Sequence, residues 1–236
     1  MTDRLALFPL GTVLFPGLVL PLHLFEDRYR LLVRDLLARP EPRGIGVVGI
    51  ELGHEVGEGA ARRLAEVGCV AELTEVVPHP DGRYDIVTVG SRRFRLKEID
   101  RTLPYLRGEV EFLPEEPGAE PESAARRARH QFRLYRQRLG MMGIGGTSGP
   151  GSGPEGDEGA EGSGPDGLPA DPVRLSHFIA ASMVLDGHEK QRLLEAEDAT
   201  LRLRAERELL ARENRLLDVL PAVPAGQFLD GSFTSN

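Results

Sequence analysis

Residues 4–22, RLALFPLGTVLFPGLVLPL, constrain this chain more than any other stretch. Two Pro-containing apolar segments flank Phe15-Pro16-Gly17. Proline fixes φ at about −65° at the second turn position and glycine accepts positive φ at the third, so a type II turn is expected. The flanks, residues 4–8 and 18–24, read as buried strands of a small sheet. Pro9, Pro16 and Pro21 break the stretch, and Asp3 and Arg4 precede it without a small-residue cleavage pattern. It is therefore a poor signal peptide, and no run in the chain has the length of a transmembrane helix.

Arg28 to Leu37 reads as a short helix, because Tyr29, Leu32, Val33 and Leu36 recur at helical spacing. Asp27 is the expected N-cap, and Pro40 and Pro42 end the segment. Ile45–Ile50 reads as a strand and residues 51–64 as a polar loop. Residues 66–77 and 83–97 form the clearest hairpin. Their turn is Pro80-Asp81-Gly82, and Asp-Gly tolerates the positive φ that tight hairpins require. Both arms carry apolar residues on both faces, which places the pair centrally in a barrel or sandwich. Tyr105 to Leu113 reads as a further strand.

Composition then shifts. Residues 120–141 read as a helix, on which Ala125, Ala128, Phe132, Tyr135, Leu139 and, one residue beyond, Met142 form one apolar stripe. Arg126, Arg127, Arg129, Arg133, Arg136 and Arg138 mostly occupy the other face, which reads as a solvated surface paired with acidic neighbours. A Gly-, Pro- and acid-rich stretch follows and cannot bury enough apolar area to offset its ordering, so it is expected to be disordered. Pro172–Leu185 reads as a helix. Asp186 and Glu189 resemble a capping box for the next one, and another start is expected near Asp198. Leu203, Leu210 and Leu217 recur every seven residues, interrupted by Glu206, Arg207, Glu213 and Asn214. That stripe suits an intramolecular bundle face better than a coiled-coil dimer. Pro221 and Pro224 end it, leaving a loose tail.

The residues argue against most chemistries. A net charge of −8 disfavours nucleic acid, whose affinity comes largely from phosphate neutralisation. Gly44-Ile-Gly-Val-Val-Gly49 matches GxGxxG, yet no helix start follows it, so close backbone packing is the expected role. The lysines, Lys97 and Lys190, follow Leu96 and Glu189, so no Walker A loop exists and a Ser–Lys dyad is not indicated. The histidines are scattered without metal-ligand spacing, and no metal or other cofactor is expected. Cys69 is the lone cysteine and reads as core, consistent with a cytoplasmic protein. Arg92, Arg93 and Arg95 around Phe94 could stack and pair with single strands, but an alternating strand end, with Phe94 and Leu96 inward and the arginines outward, is the favoured reading.

Several linked motifs resemble one family. Leu7-Phe8-Pro9-Leu10, Phe15-Pro16-Gly17 and Leu20-Pro21-Leu22 resemble the opening of the Lon protease N-terminal, substrate-binding domain. Glu66–Ala71, Pro80-Asp81-Gly82 and Val89–Leu96 match its later segments in order. The resemblance implies an α+β fold, a PUA-like pseudo-β-barrel followed by a helical bundle. The expected divisions are a barrel at 1–118, a helix at 119–141, a disordered linker at 142–171, a helical bundle at 172–221 and a flexible tail at 222–236. Neither the ATPase nor the protease module is recognisable, so the chain looks like a freestanding, non-catalytic relative.

The resemblance further implies recognition of unfolded or extended polypeptides, in possible concert with a Lon-type protease. Phe15 and Leu18, near the proline turn, are the expected apolar contacts. Two alternatives stand beside this reading. One is a PUA-like RNA binder using Arg92, Arg93 and the 126–138 helix. The other is an adaptor docking through the C-terminal helices. Oligomeric state and client identity are not legible.

Overall fold

The computed structural model describes residues 3–53, 55, 61–141 and 166–219. In chain order the elements are β1 (Asp3–Leu10), β2 (Val19–Leu24), α1 (Asp27–Leu37), β3 (Gly44–Gly53), β4 (Ala61–Pro78), β5 (Tyr84–Asp100) and β6 (Arg107–Phe112). Four helices follow: α2 (Pro121–Met141), α3 (Pro172–Ser182), α4 (Gly187–Glu195) and α5 (Ala199–Val219). The sheet order is β2-β5-β4-β3-β1-β6, and β6 returns to pair with β5. The ring β5-β4-β3-β1-β6 therefore closes as a pseudo-barrel, and the chain is α+β.

The 17-residue β5 makes closure possible. One edge carries β4. The other carries β2 opposite residues 84–89 and β6 opposite residues 94–100. β1 and β3 run parallel, joined through β2 and α1. The remaining ladders are antiparallel.

The expected turns form. Gly17 has φ of 84° and Leu18 N donates to Phe15 O at 3.2 Å, as a type II turn requires. Gly82 has φ of 82° at the tip of the β4–β5 hairpin. The GxGxxG segment is strand, as expected. A Cβ at Gly46 would lie 3.0 Å from both Leu7 Cδ2 and Phe94 Cζ, so the missing side chain makes room for the barrel's central ring. Phe94 packs there with Leu7, Val48, Val70 and Val110. A second core gathers Phe8, Tyr29, Leu32, Val33, Ile45 and Cys69 beneath α1. Burial pushes the Cys69 thiol up, so it stays protonated.

The helices form the third core. Ala125, Ala128, Phe132 and Tyr135 of α2 meet Leu175 and Ile179 of α3 and Leu203 and Leu210 of α5. The leucine repeat thus faces inward within the chain. Asp171 caps α3 through Arg174 N at 2.8 Å, and Asp186 caps α4 through Glu189 N at 2.8 Å. The reciprocal half of the capping box does not form, because Glu189 is drawn to Arg212 at 2.5 Å. Asp198 Oδ1 accepts from Leu201 N at 2.7 Å, which fixes the α5 start where it was expected.

Three expectations need correction. The cap of α1 is Glu26, with no side-chain bond; Asp27 is already helical and pairs with Arg30 at 2.8 Å. The 51–64 loop is shorter than expected, because Leu52 pairs with Arg63 and Gly53 with Ala61 after bulges that let the ladder continue. The linker does not extend to 171: Asp166 is ion-paired and Leu168 is fully buried in the helical core. Residues 142–165, Met142 of the stripe and the 222–236 tail lie outside the described residues.

Candidate functional site

The strand β2 carries the open edge of the sheet. Among the described strands it pairs with β5 alone. Gly90 N donates to Leu18 O at 2.8 Å, and the register continues through Leu20↔Thr88 and Leu22↔Ile86. Backbone groups alternate between the two edges of an antiparallel strand. Those of Val19, Pro21 and His23 therefore face away from β5. Pro21 supplies a carbonyl but no N–H, which blunts the edge without closing it.

Side chains add an apolar character to this edge. Val19 is 43 % exposed and Phe25 51 %. Pro21 is exposed as well, and Val87 and Val89 are half-buried on the neighbouring strand. Val77 on β4 lies across from Asp85 and is 44 % exposed. Beside the edge opens a cleft of about 190 Å³, lined by Phe8, Pro9, Leu10, Leu22, Phe25 and Tyr29. A larger one of about 330 Å³ lies between Thr12, Arg63 and the start of α4. There Arg63 pairs with Glu51 at 2.6 Å and Gln191 Nε2 donates to Val67 O at 2.9 Å, while Gln191 Oε1 is buried without a partner.

The expected site residues separate. Phe15 is fully buried and packs with Val67, Ala180, Leu193 and Leu194, where the helices rest on the barrel. The type II turn directs it inward, so it holds the scaffold and is not an exposed contact. Leu18 is half-buried beside the same turn and next to the open edge. Arg92 is exposed, with its guanidinium 4.0 Å from the centre of the Phe112 ring. Arg93 is 1 % exposed. It points away from the barrel interior, as alternation with Phe94 demands, but α4 covers that side.

Around Arg93 lies a buried ionic junction that sequence reading missed. Its guanidinium donates to Glu115 Oε1 at 2.7 Å, Leu194 O at 2.7 Å and Ala196 O at 2.6 Å. His177 on α3 donates from Nε2 to Glu115 Oε2 at 3.0 Å. Arg202 on α5 donates to Leu193 O at 2.9 Å and Ser176 Oγ at 2.8 Å. Burial alone would raise the Glu115 carboxyl, but the His177 and Arg93 hydrogen bonds and charges hold it down to about 2. Burial, aided by the positive Arg202 and Arg93, lowers His177 to about 4 against the pull of Glu115, so the imidazole is neutral at pH 7. Glu206, one turn after Arg202, is fully buried with both carboxyl oxygens unpartnered. Against the pull of Arg202, burial raises it well above the ordinary range, which favours the protonated form. Arg93, His177, Arg202 and Glu206 are closed off from solvent and Glu115 is only partly exposed, so the junction holds elements together.

The arginines of α2 are largely engaged within the chain. Arg129 and Arg133 meet Asp166 at 2.8 and 2.7 Å, and Arg138 meets Asp218 at 2.7 Å. Among the described residues no helix is long and apolar enough to cross a membrane.

Comparison with known proteins agrees with this architecture. The family model for the ATP-dependent protease La (LON) substrate-binding domain matches residues 4–212. Lon protease 2 of Syntrophobacter fumaroxidans is 32 % identical over 126 residues, covering 53 % of this chain and 16 % of that protein. Lon protease 2 of Myxococcus xanthus is 28 % identical over 214 residues, covering 90 % and 24 %. The chain thus spans about a quarter or less of the curated relatives it matches. Among solved structures, a Lon N-terminal domain protein from Xanthomonas campestris superposes with a TM-score of 0.57 at 22 % identity, covering 89 % of this chain and 98 % of that one. The N-terminal domain of the Mycobacterium avium complex Lon protease gives 0.60 at 19 %, covering 92 % and 100 %. At these identities the structural likeness is one of fold.

Proposed function

The chain belongs to the Lon substrate-binding domain family, and on that premise we propose that it is a non-catalytic module that recognises polypeptides along the open edge of β2. The carrying observation is that unpaired edge beside exposed Val19 and Phe25. An extended client would add a strand there, bonding to backbone groups of Val19 and His23. Its apolar side chains would rest on the valines and enter the cleft under Phe25. Such binding reads apolar content and extension rather than a fixed sequence, which suits clients that have lost their fold. Lon proteases carry a domain of this family, so handing bound clients to a Lon-type protease is part of the proposal. The RNA alternative has fewer free donors than the sequence suggests, since Arg93 is buried and three arginines of α2 are ion-paired, while Arg92 stays exposed.

The test is anisotropy of a fluorescent, permanently unfolded polypeptide titrated with wild type, Val19→Asp and Phe25→Ser, with single-stranded RNA in parallel. Saturable polypeptide binding that survives moderate salt, weakened about tenfold by either substitution, is the expected result. Wild-type affinity in both variants would remove the β2 edge from the proposal. RNA binding without polypeptide binding would overturn the function itself. Phe15→Ala serves as the scaffold control and should lower stability by about 3–5 kcal/mol.

A further inference from the structure

We propose that His23, His79 and Asp85 form a binding site for a divalent transition metal of the zinc class. The three come from different parts of the fold. His23 lies on β2, His79 follows β4 in the hairpin turn, and Asp85 is the second residue of β5. The β2–β5 register puts His23 directly opposite Asp85. His79 N donates to Arg83 O at 2.9 Å, which closes the turn and holds His79 over the same strand end. One donor atom from each of the three side chains lies within 4.8 Å of the other two. Among the described residues no other His, Cys, Asp and Glu side chains converge in this way.

The present contacts are those of a preformed donor set. His23 Nδ1 lies 2.5 Å from Asp85 Oδ1, and His79 Nε2 lies 2.6 Å from Asp85 Oδ2. The carboxylate thus sits between two imidazoles whose centroids are 6.1 Å apart. Two imidazoles and one carboxylate are borderline donors that suit zinc, cobalt, nickel and copper, whereas magnesium and calcium favour oxygen shells. A tetrahedral zinc with bonds of about 2.0–2.1 Å needs donors roughly 3.3 Å apart. Rotation of these partly exposed side chains supplies the remaining approach; they are 48 %, 35 % and 48 % exposed. On binding, the N–H now facing the carboxylate moves to the other ring nitrogen, and the freed lone pair becomes the ligand. Three protein donors leave a position for water. The nearby cation, Arg83, is held by Asp81 at 2.6 Å and so does not compete for Asp85.

A metal here would fasten the edge strand to the hairpin tip. It would also fix the His23 ring, against which Phe25 stacks at 6.2 Å and 25°. The site stands on its own donors, whether or not the edge takes a polypeptide.

The test uses the full chain stripped with chelator. Zinc chloride is titrated calorimetrically, cobalt chloride is followed by its visible absorption, and magnesium chloride is the control. One equivalent of zinc in the micromolar range, cobalt absorption of low coordination number and no magnesium binding are expected. His79→Ala, Asp85→Asn and the His23→Ala/His79→Ala pair should each weaken zinc at least tenfold while circular dichroism shows a native fold. His188→Ala should bind like wild type. Zinc should raise the melting temperature of wild type and of His188→Ala but not of the double variant. Absence of saturable zinc binding would overturn the proposal. So would unchanged affinity in a folded double variant, or loss of binding in His188→Ala.

Discussion

Arg93 on β5 and Glu115, just beyond β6, meet at 2.7 Å with the arginine side chain 1 % exposed. The same guanidinium grips the carbonyls that end α4, at 2.7 and 2.6 Å. One cation thereby satisfies a carboxylate from the barrel and orphan carbonyls from the bundle. Arg93→Ala would take the guanidinium from the buried carbonyls of Leu194 and Ala196 and from Glu115, which keeps His177 as a donor. The expected loss is about 3–5 kcal/mol, read as a lower urea midpoint. Arg93→Lys should recover only part of it, since an ammonium lacks the planar fork. Equal stability of the alanine variant and wild type would show that the junction contributes little.

His177 makes the fold sensitive to acid. Its folded pKa is depressed from 6.5 to about 4. Between those values the unfolded chain binds a proton that the folded chain refuses, so stability falls as pH drops through that window, by roughly 3 kcal/mol. Glu115, lowered from 4.5 to about 2, extends the decline below it. His177→Gln keeps an N–H donor for Glu115 but cannot titrate. Urea midpoints across the window should flatten in this variant; an unchanged slope would assign the acid sensitivity elsewhere.

Glu206 acts with the opposite sign. Its folded pKa is raised, so the folded chain holds a proton that the unfolded chain releases above about 4.5. Stability therefore declines as pH rises beyond that point. Glu206→Gln removes the titration and keeps the shape. It should be more stable than wild type at neutral pH by about 1–3 kcal/mol, with the advantage vanishing in acid. Equal midpoints at both ends would show that Glu206 carries no such penalty.

Gly68 leaves no room for a side chain in the barrel wall. A Cβ there would sit 2.4 Å from Val47 O and 2.5 Å from Phe94 Cζ. Gly68→Ala should lower the melting temperature, at a cost of about 1–3 kcal/mol or more. Adding Phe94→Leu relieves only the ring, so the double variant should stay well below wild type. Full rescue would show that the carbonyl moves freely.

The legible parts of the fold were those set by local chemistry. Pro16-Gly17 and Asp81-Gly82 dictate their turns through φ alone, and the Leu203–Leu210 spacing declares its face without knowledge of the partner. The strand alternation around Phe94 was readable too. What α4 does to Arg93 was not, because the covering helix lies about a hundred residues later. The same holds for Phe15, whose exposure depends on Leu193 and Leu194. His23, His79 and Asp85 have no meaningful spacing as letters and meet only through the β2–β5 register. Leu168 and Asp166 sit in a glycine-rich stretch whose composition conceals two anchored residues.

The ring also sets a timetable. Asp3 of β1 pairs with Val110 of β6, while Leu7 of the same strand pairs with Gly46. As the chain leaves the ribosome, the second half of β1 can find β3 early, but its first half has no partner until β6 has been made. That bare strand end is the kind of edge on which nascent chains associate. Asp3 and Arg4, at the front of an otherwise apolar strand, place charge on the residues that wait longest.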